Sequence, residues 1–250
     1  MNLLTIDIGN SRCKASQGIA GGPFPGQTVT ALDLDELVSR CPGFAEVDCC
    51  VVSSVNQEAS RKLKVILSRQ VASHHFLFLD FQSAPLEINV QQPQTLGADR
   101  IAAAYAGFLR TGGATIVVDS GTAVTVDLVD SKGVFCGGAI FPGAELSAAA
   151  LAQYTDGLPL AELNLDHPPD LPGKNTLDAI RAGLFWSQLG GVQQIVQEYL
   201  GQIEGAQLLV TGGCGQQVLA STQLPGSYIP DLVLEGLWRL GSDRFTGEIG

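Results

Sequence analysis

A chain of 250 residues with 45% hydrophobic and 16% charged side chains can bury one large core or two smaller ones, which excludes a disordered polymer. Its formal net charge of −11 would repel a phosphate backbone over most of the surface, so nucleic acid is not expected as a partner. The six cysteines form no C-x-x-C and are not spaced with the three histidines as metal ligands, so reduced thiols in a cytoplasmic protein are expected.

The chain opens on "MNLLTIDIGN", which lacks the basic start of a signal peptide. No apolar run here or later reaches the roughly 18 residues of a membrane span, so no membrane partner is expected. Residues 2–8 read as a strand, and the Gly/Pro-rich turn at 21–26 leads to a helix at 33–40. A buried strand follows at 47–53, then an amphipathic helix at 57–70 with Leu63, Ile66 and Leu67 on one face, then a short strand at 76–79. A polar connection over 81–95 leads to a helix starting near Asp99.

From Thr115 the pattern becomes consecutive strands, "TIVVD", "AVTVDLVD" and "VFCGGAIFPG", a meander rather than strand-helix-strand. Helical pattern resumes at 144–153 and 176–200, and a last strand, "AQLLVTGG", precedes helices at 215–221 and near 231–240. Alternating strands and helices indicate α/β layers, and "TGG" at 111–113 marks a boundary between two lobes. His74 and His75 read as loop residues, Cys49 and Cys50 as buried strand positions, and Phe185 and Trp186 as core or dimer-interface anchors.

Each lobe opens the same way. An apolar strand runs into "DIGNS" at Asp7 and into "DSGTA" at Asp119. Gly9 and Gly121 allow tight turns close to a ligand, and the following amides and hydroxyls can donate to the oxygens of a polyphosphate. A carboxylate beside phosphate becomes sensible when a cation such as Mg²⁺ stands between them. A single such motif is a plain turn; two copies, each opening a lobe, favour a site. Lys14 offers the positive charge that phosphoryl transfer needs, or is simply a solvated strand lysine.

The glycine pair in "LLVTGGCG" suits either close approach to a flat adenosine or a tight strand-helix turn. A dinucleotide fingerprint is excluded by Val218 where a glycine should stand, and "GKN" at 173–175 is no Walker motif. In "GADR", Asp99 could accept a hydroxyl proton and Arg100 could fork onto a carboxylate. On those four residues alone, a helix cap beside a surface arginine is the simpler reading.

Taken together, "DIGNSRCK", "LGADR", "DSGTAVTVD", "GGAIFPG", "KNT" and "LVTGG" resemble the actin/hexokinase-like (ASKHA) superfamily and, within it, the type III pantothenate kinases. The resemblance covers nearly the whole chain. It implies an α/β fold of two actin-like (ribonuclease H-like) lobes, mixed sheets flanked by helices, with a nucleotide cleft between them. Residues 1–112 would carry the first phosphate loop and the substrate loop, and residues 113–250 the second phosphate loop and the adenosine motif. The implied reaction is ATP-dependent phosphorylation of pantothenate to 4'-phosphopantothenate, the first step of coenzyme A biosynthesis, by a cytoplasmic homodimer using Mg²⁺ and K⁺ or ammonium.

Position by position, Asp7, Ile8, Gly9, Asn10, Ser11, Arg12, Cys13 and Lys14 match the nucleotide segment, Asp7 also reaching Mg²⁺ through water. Gly97, Ala98 and Arg100 match the substrate loop and Asp99 its proton acceptor. Asp119 matches the monovalent-cation ligand, Thr122 a nucleotide contact, Thr176 a substrate contact, and Gly212 and Gly213 the adenosine contact. One departure concerns Val90, which stands where relatives usually carry a pocket-lining tyrosine; Ser11 replaces the usual threonine but keeps the hydroxyl. The rival readings are a catalytically impaired nucleotide-binding regulator of the same fold and a kinase for a related hydroxy acid.

Overall fold

The computed structural model describes residues 1–41, 44, 46–69 and 75–246. His74 lies outside the described residues, as does Gln70, the last residue expected in the 57–70 helix. By its internal contacts the chain forms two compact units. One holds Met1–Gly112, Gly133–Cys136 and residues from Asp231 onward; the other holds Gly113–Lys132 and Gly137–Pro230. The sequence expectation kept 113–250 together, whereas contacts count 133–136 and the stretch from Asp231 with the first unit.

The first unit begins with β1 (Asn2–Ile8), β2 (Cys13–Ile19), β3 (Val29–Ala31), α1 (Leu34–Arg40), β4 (Cys49–Ser54), α2 (Gln57–Leu67) and β5 (Phe76–Phe78). Its sheet runs in the order β3-β2-β1-β4-β5, antiparallel over the first three strands and parallel from β1 to β5. Strand alternation sends Leu4, Ile6 and Ile8, with Cys50 and Val52, into one core with Leu34 and Leu37 of α1 and Leu63 and Leu67 of α2. Both helices start on a side-chain cap: Asp33 accepts from the Glu36 N–H at 2.9 Å, and Asn56 from the Ala59 N–H at 3.0 Å.

Further on come β6 (Glu87–Ile88), a 3₁₀ turn at Pro93–Thr95 and α3 (Ala98–Thr111). Helix α3 ends where Gly112, at φ 66°, donates its N–H to the Phe108 carbonyl at 2.8 Å, a left-handed stop that favours glycine.

The second unit carries β7 (Thr115–Ser120), β8 (Ala123–Val129), β9 (Val134–Pro142), α4 (Ala144–Tyr154), α5 (Thr176–Gln202), β10 (Gln207–Thr211), α6 (Gly215–Thr222) and β11 (Gly226–Tyr228). The order β11-β10-β7-β8-β9 reads, from the far edge, as the same arrangement as the first sheet: an opening hairpin, then parallel strands on the other side of the first strand. Ile116, Val118, Val126, Leu208 and Val210 pack against Phe185, Leu189, Val192 and Val196 of α5. The first residues of β9, Val134 and Phe135, belong to the first unit and pair with β6. The expected mixed α/β class with two helix-flanked sheets is therefore observed.

The chain then contributes α7 (Leu232–Thr246) to the first unit. There α7 covers the sheet face opposite α1 and α2. Gly241 is seated on Leu3 and Val51, and Gly236 lies so close to the Ala102 backbone of α3 that a methyl would collide with it. Trp238 is fully buried on the same helix and donates its Nε1–H to the Gly22 carbonyl at 3.1 Å. Phe185 is core, as expected, whereas Trp186 is 44% exposed with its ring edge-on to Phe185. Cys49 and Cys50 are buried strand residues.

Candidate active site

Asp7 is the penultimate residue of β1. Register places it in a row with Lys14 on β2 and Ser53 on β4, and Lys14 in turn beside Thr30 on β3. Residues in one row share a face. The Ser53 hydroxyl in that row is buried and has no hydrogen-bond partner among the described residues. Beyond Ile8 the chain reverses: Gly9 donates its N–H to the Arg12 carbonyl at 3.0 Å, and Asn10, Ser11 and Arg12 are exposed on the turn.

Alternation sends Ile8 and Cys13 the other way, into the core at 1% and 5% exposure, so only their backbones can serve a ligand. Burial first, then the nearby charges of Asp7 and Asp33, pushes the Cys13 thiol up, which keeps it protonated and unreactive. Lys14 reaches a residue that the sequence reading missed. Its Nζ donates to Asp231 Oδ1 at 3.0 Å, while the Thr28 hydroxyl donates to Asp231 Oδ2 at 2.9 Å. No local pattern connects residues 217 positions apart.

The second turn repeats the first by register. Asp119 on β7 lies in a row with Thr125 on β8 and Thr211 on β10, as Asp7 does with Lys14 and Ser53. Gly121 donates its N–H to the Ala123 carbonyl at 3.1 Å, closing a turn one residue shorter than the first. Gly143, the last residue of "GGAIFPG", donates to the Thr122 carbonyl at 2.9 Å and lies so close that a Cβ would strike the Gly121 and Thr122 carbonyls. Gly212, at φ 89°, is seated on the Asp119 carboxylate and the Ser120 carbonyl, and Cys214 donates its N–H to that carbonyl at 3.1 Å. Gly213 faces open space. The second unit thus brings Asp119, Thr122, Gly212 and Gly213 together, with Thr122 and Gly213 exposed.

The "GADR" stretch forms the start of α3. Gly97 is the N-cap, Ala98 is buried, and Asp99 sits in the first turn, where the helix dipole favours a carboxylate. Asp99 does not cap the helix. Its Oδ1 accepts the Arg100 N–H at 2.8 Å and folds over Gly97, where a Cβ would meet it. The Arg100 guanidinium stands 5.5 Å from the centre of the Phe135 ring, a cation–π contact that orients its fork. Thr176 is the exposed first residue of α5, capped by Asn175, whose side chain accepts from the Asp178 N–H at 2.9 Å. Gly97–Arg100 belong to the first unit and Thr176 to the second.

Among the described residues no group of three or more His, Cys, Asp or Glu side chains could hold a metal ion. Asp7 and Asp119 each offer a single carboxylate, which fits a cation only when ligand phosphates and waters complete its shell, as Mg²⁺ commonly arranges. A cavity of about 340 Å³ lies in the second unit, lined by Glu162, Asn164, His167, Arg181 and the apolar Leu163 and Phe185, with Pro169 at its side. Neither the two turns nor the "GADR" stretch contributes to its lining.

Residues 3–198 match the sequence model of the type III pantothenate kinases, a span that includes both aspartate turns, the "GADR" loop and Thr176. The chain belongs to the type III pantothenate kinase family. The type III pantothenate kinase of Syntrophotalea carbinolica is 33% identical across 94% of this chain and 96% of its own. Among solved structures, a candidate Baf family transcriptional activator from Campylobacter jejuni, 23% identical, is similar with a TM-score of 0.64, covering 97% of this chain and 99% of that one. Component A of the (R)-2-hydroxyglutaryl-CoA dehydratase of Acidaminococcus fermentans, 12% identical, is similar with a TM-score of 0.57 and full coverage of both. These two share the fold. Among the described residues, no helix of this pantothenate kinase family member is long and apolar enough to cross a membrane.

Proposed function

We propose that Asp99 is the general base of an ATP:pantothenate phosphotransferase and that each of its two aspartate turns is a nucleotide contact. The chain is a kinase of the type III pantothenate kinase family, and its reaction is phosphorylation of pantothenate, the first step of coenzyme A biosynthesis. The observation that carries the site assignment is the repeated register: each sheet sets an aspartate near the end of its first strand, followed by a glycine-closed turn with exposed residues.

In this reading Asp99 takes the proton of pantothenate's primary hydroxyl as that oxygen attacks the γ-phosphorus and the bond to ADP breaks. Arg100, steadied by Phe135, forks onto the pantothenate carboxylate, with Gly97 and Ala98 shaping the loop and Thr176 as a further substrate contact. Backbone donors of residues 7–14, the Lys14 ammonium and Thr122 align the triphosphate, while Gly212 and Gly213 flank the adenosine. Mg²⁺, when bound near Asp7, supplies charge neutralisation on the triphosphate. Asp119 is the ligand for K⁺ or ammonium. The first unit carries the first phosphate turn and the substrate loop, the second unit the second phosphate turn and the adenosine glycines, in a cytoplasmic homodimer. Val90, in place of the usual tyrosine, favours as second reading an altered acceptor pocket that takes a related hydroxy acid.

The test is coupled ADP release with pantothenate, with and without K⁺. Asp99→Asn is expected to lower kcat about 10²–10⁴-fold with the KM for ATP little changed. Undiminished turnover in that variant removes the base assignment. ADP release with another hydroxy acid but not with pantothenate selects the second reading.

A further inference from the structure

We propose that Asp231 is a positioning residue for Lys14, so that a side chain from the start of α7 sets where the ammonium meets the phosphates. The inference rests on the reading above, in which Lys14 touches ATP. Both oxygens of Asp231 are committed, Oδ1 to the Lys14 ammonium at 3.0 Å and Oδ2 to the Thr28 hydroxyl at 2.9 Å. The Thr28 hydroxyl therefore fixes the carboxylate through one oxygen while the other oxygen holds the lysine. Lys14 and Asp231 are partly buried, their side chains 31% and 20% exposed.

A lysine on its flexible four-carbon stem has many rotamers, and one charged hydrogen bond to a fixed acceptor selects among them. Among the described residues nothing else takes the other two N–H groups of Lys14, which serve phosphate oxygens in this reading. The pair is electrically neutral, so it adds little long-range attraction for a triphosphate. Its contribution is direction: the ammonium is fixed on Asp231, on a residue that neighbours Asp7 in the strand register. Removing the Asp231 charge frees a full positive charge while loosening its position. Attraction for ATP then holds or strengthens, and alignment in the transition state suffers. The predicted signature is a split between kcat and KM, which mere loss of structure would not produce.

The experiment is a double-mutant cycle on the full chain, using coupled ADP release with ATP and pantothenate. Asp231→Asn is expected to lower kcat about tenfold with the KM for ATP unchanged or lower. In the Lys14→Ala background the same change should matter less than about twofold, because there is no ammonium left to place. Thr28→Val, which removes only the outer hydrogen bond, should reproduce the split at about two- to fivefold in the parent and vanish in Lys14→Ala. Equal losses from Asp231→Asn in both backgrounds would overturn the proposal, as would a kcat within twofold of the parent. If Lys14→Ala itself keeps full kcat, the phosphate role of Lys14 fails first and the proposal with it; a severe Lys14→Ala loss with a silent Asp231→Asn sinks the positioning role alone.

Discussion

The adjacent glycines 212 and 213 should respond differently to one added methyl group. At Gly212 the backbone is held at φ 89°, a region that charges an L-residue about 1–2 kcal/mol. The methyl would also point into the Asp119 carboxylate and the Ser120 carbonyl. The carbonyl is backbone and cannot rotate aside, so the turn between β10 and α6 must shift away from β7, at about 1–3 kcal/mol. Gly212→Ala should therefore destabilise by about 3 kcal/mol, a drop in melting temperature of roughly 6–12 °C for a chain of this size. At Gly213 an added methyl would meet nothing within 4 Å and the φ is not left-handed, so Gly213→Ala should stay within about 0.5 kcal/mol of the parent. If Gly213 flanks the adenosine, that variant should instead raise the KM for ATP several-fold. Thermal melts of both variants, followed by ATP titration of the activity, separate the two effects. A Gly212→Ala protein that melts within 2 °C of the parent, a small fraction of the roughly 6–12 °C expected, would refute the close-approach argument. Equal melting losses at both positions would refute it too.

Removal of the Arg110 side chain should unmask a buried charge. Glu235 is only 5% exposed, and its Oε2 accepts from Arg110 Nε at 2.8 Å and Nη2 at 2.7 Å, with Arg239 no nearer than 3.9 Å. Urea unfolding of Arg110→Met should show a loss of about 3 kcal/mol, largely recovered in Arg110→Met/Glu235→Leu; an unrecovered double variant would contradict this. High pH should act through Tyr105. Burial, then its 2.8 Å hydrogen bond to Asp243, raises the phenol from 10.0 to about 12. The folded state keeps that proton longer than the unfolded chain does. The contribution is thus fully present below about pH 10 and lost as pH rises toward about 12. In Tyr105→Phe the fall in unfolding free energy over that window should be shallower, and an identical slope would exclude Tyr105 as its source.

The long, strongly patterned elements were legible in the residues. The apolar run before Asp7, the meander from Thr115 and the 27-residue helix α5 stand where periodicity puts them. The twin aspartate turns were legible too, and the structure adds that they are equivalent in register. Four strands were not foreseen: β2, β3, β6 and β11. The sequence of β2, "CKASQGI", has a polar, Gly-containing run that only its neighbours on both sides make a strand, and the other three span two or three residues. The Asp231–Lys14 pair, the Phe135 platform under Arg100 and the return of α7 to the first unit depend on long-range closure, which no local pattern records. Asp99 is not the helix cap that the four residues alone suggest, because Gly97 holds the cap position and the carboxylate folds back over it.

The placement of α7 has a consequence for how the chain is made. A ribosome delivers β1 and β4 early, but the helix that shields Leu3 and Val51 emerges only after every strand of the second unit. During synthesis the later unit can consolidate while the earlier one still waits with a bare apolar face, reversing the usual N-terminal-first order. An uncovered apolar sheet face of this kind is the sort of surface that aggregates or is captured by chaperones.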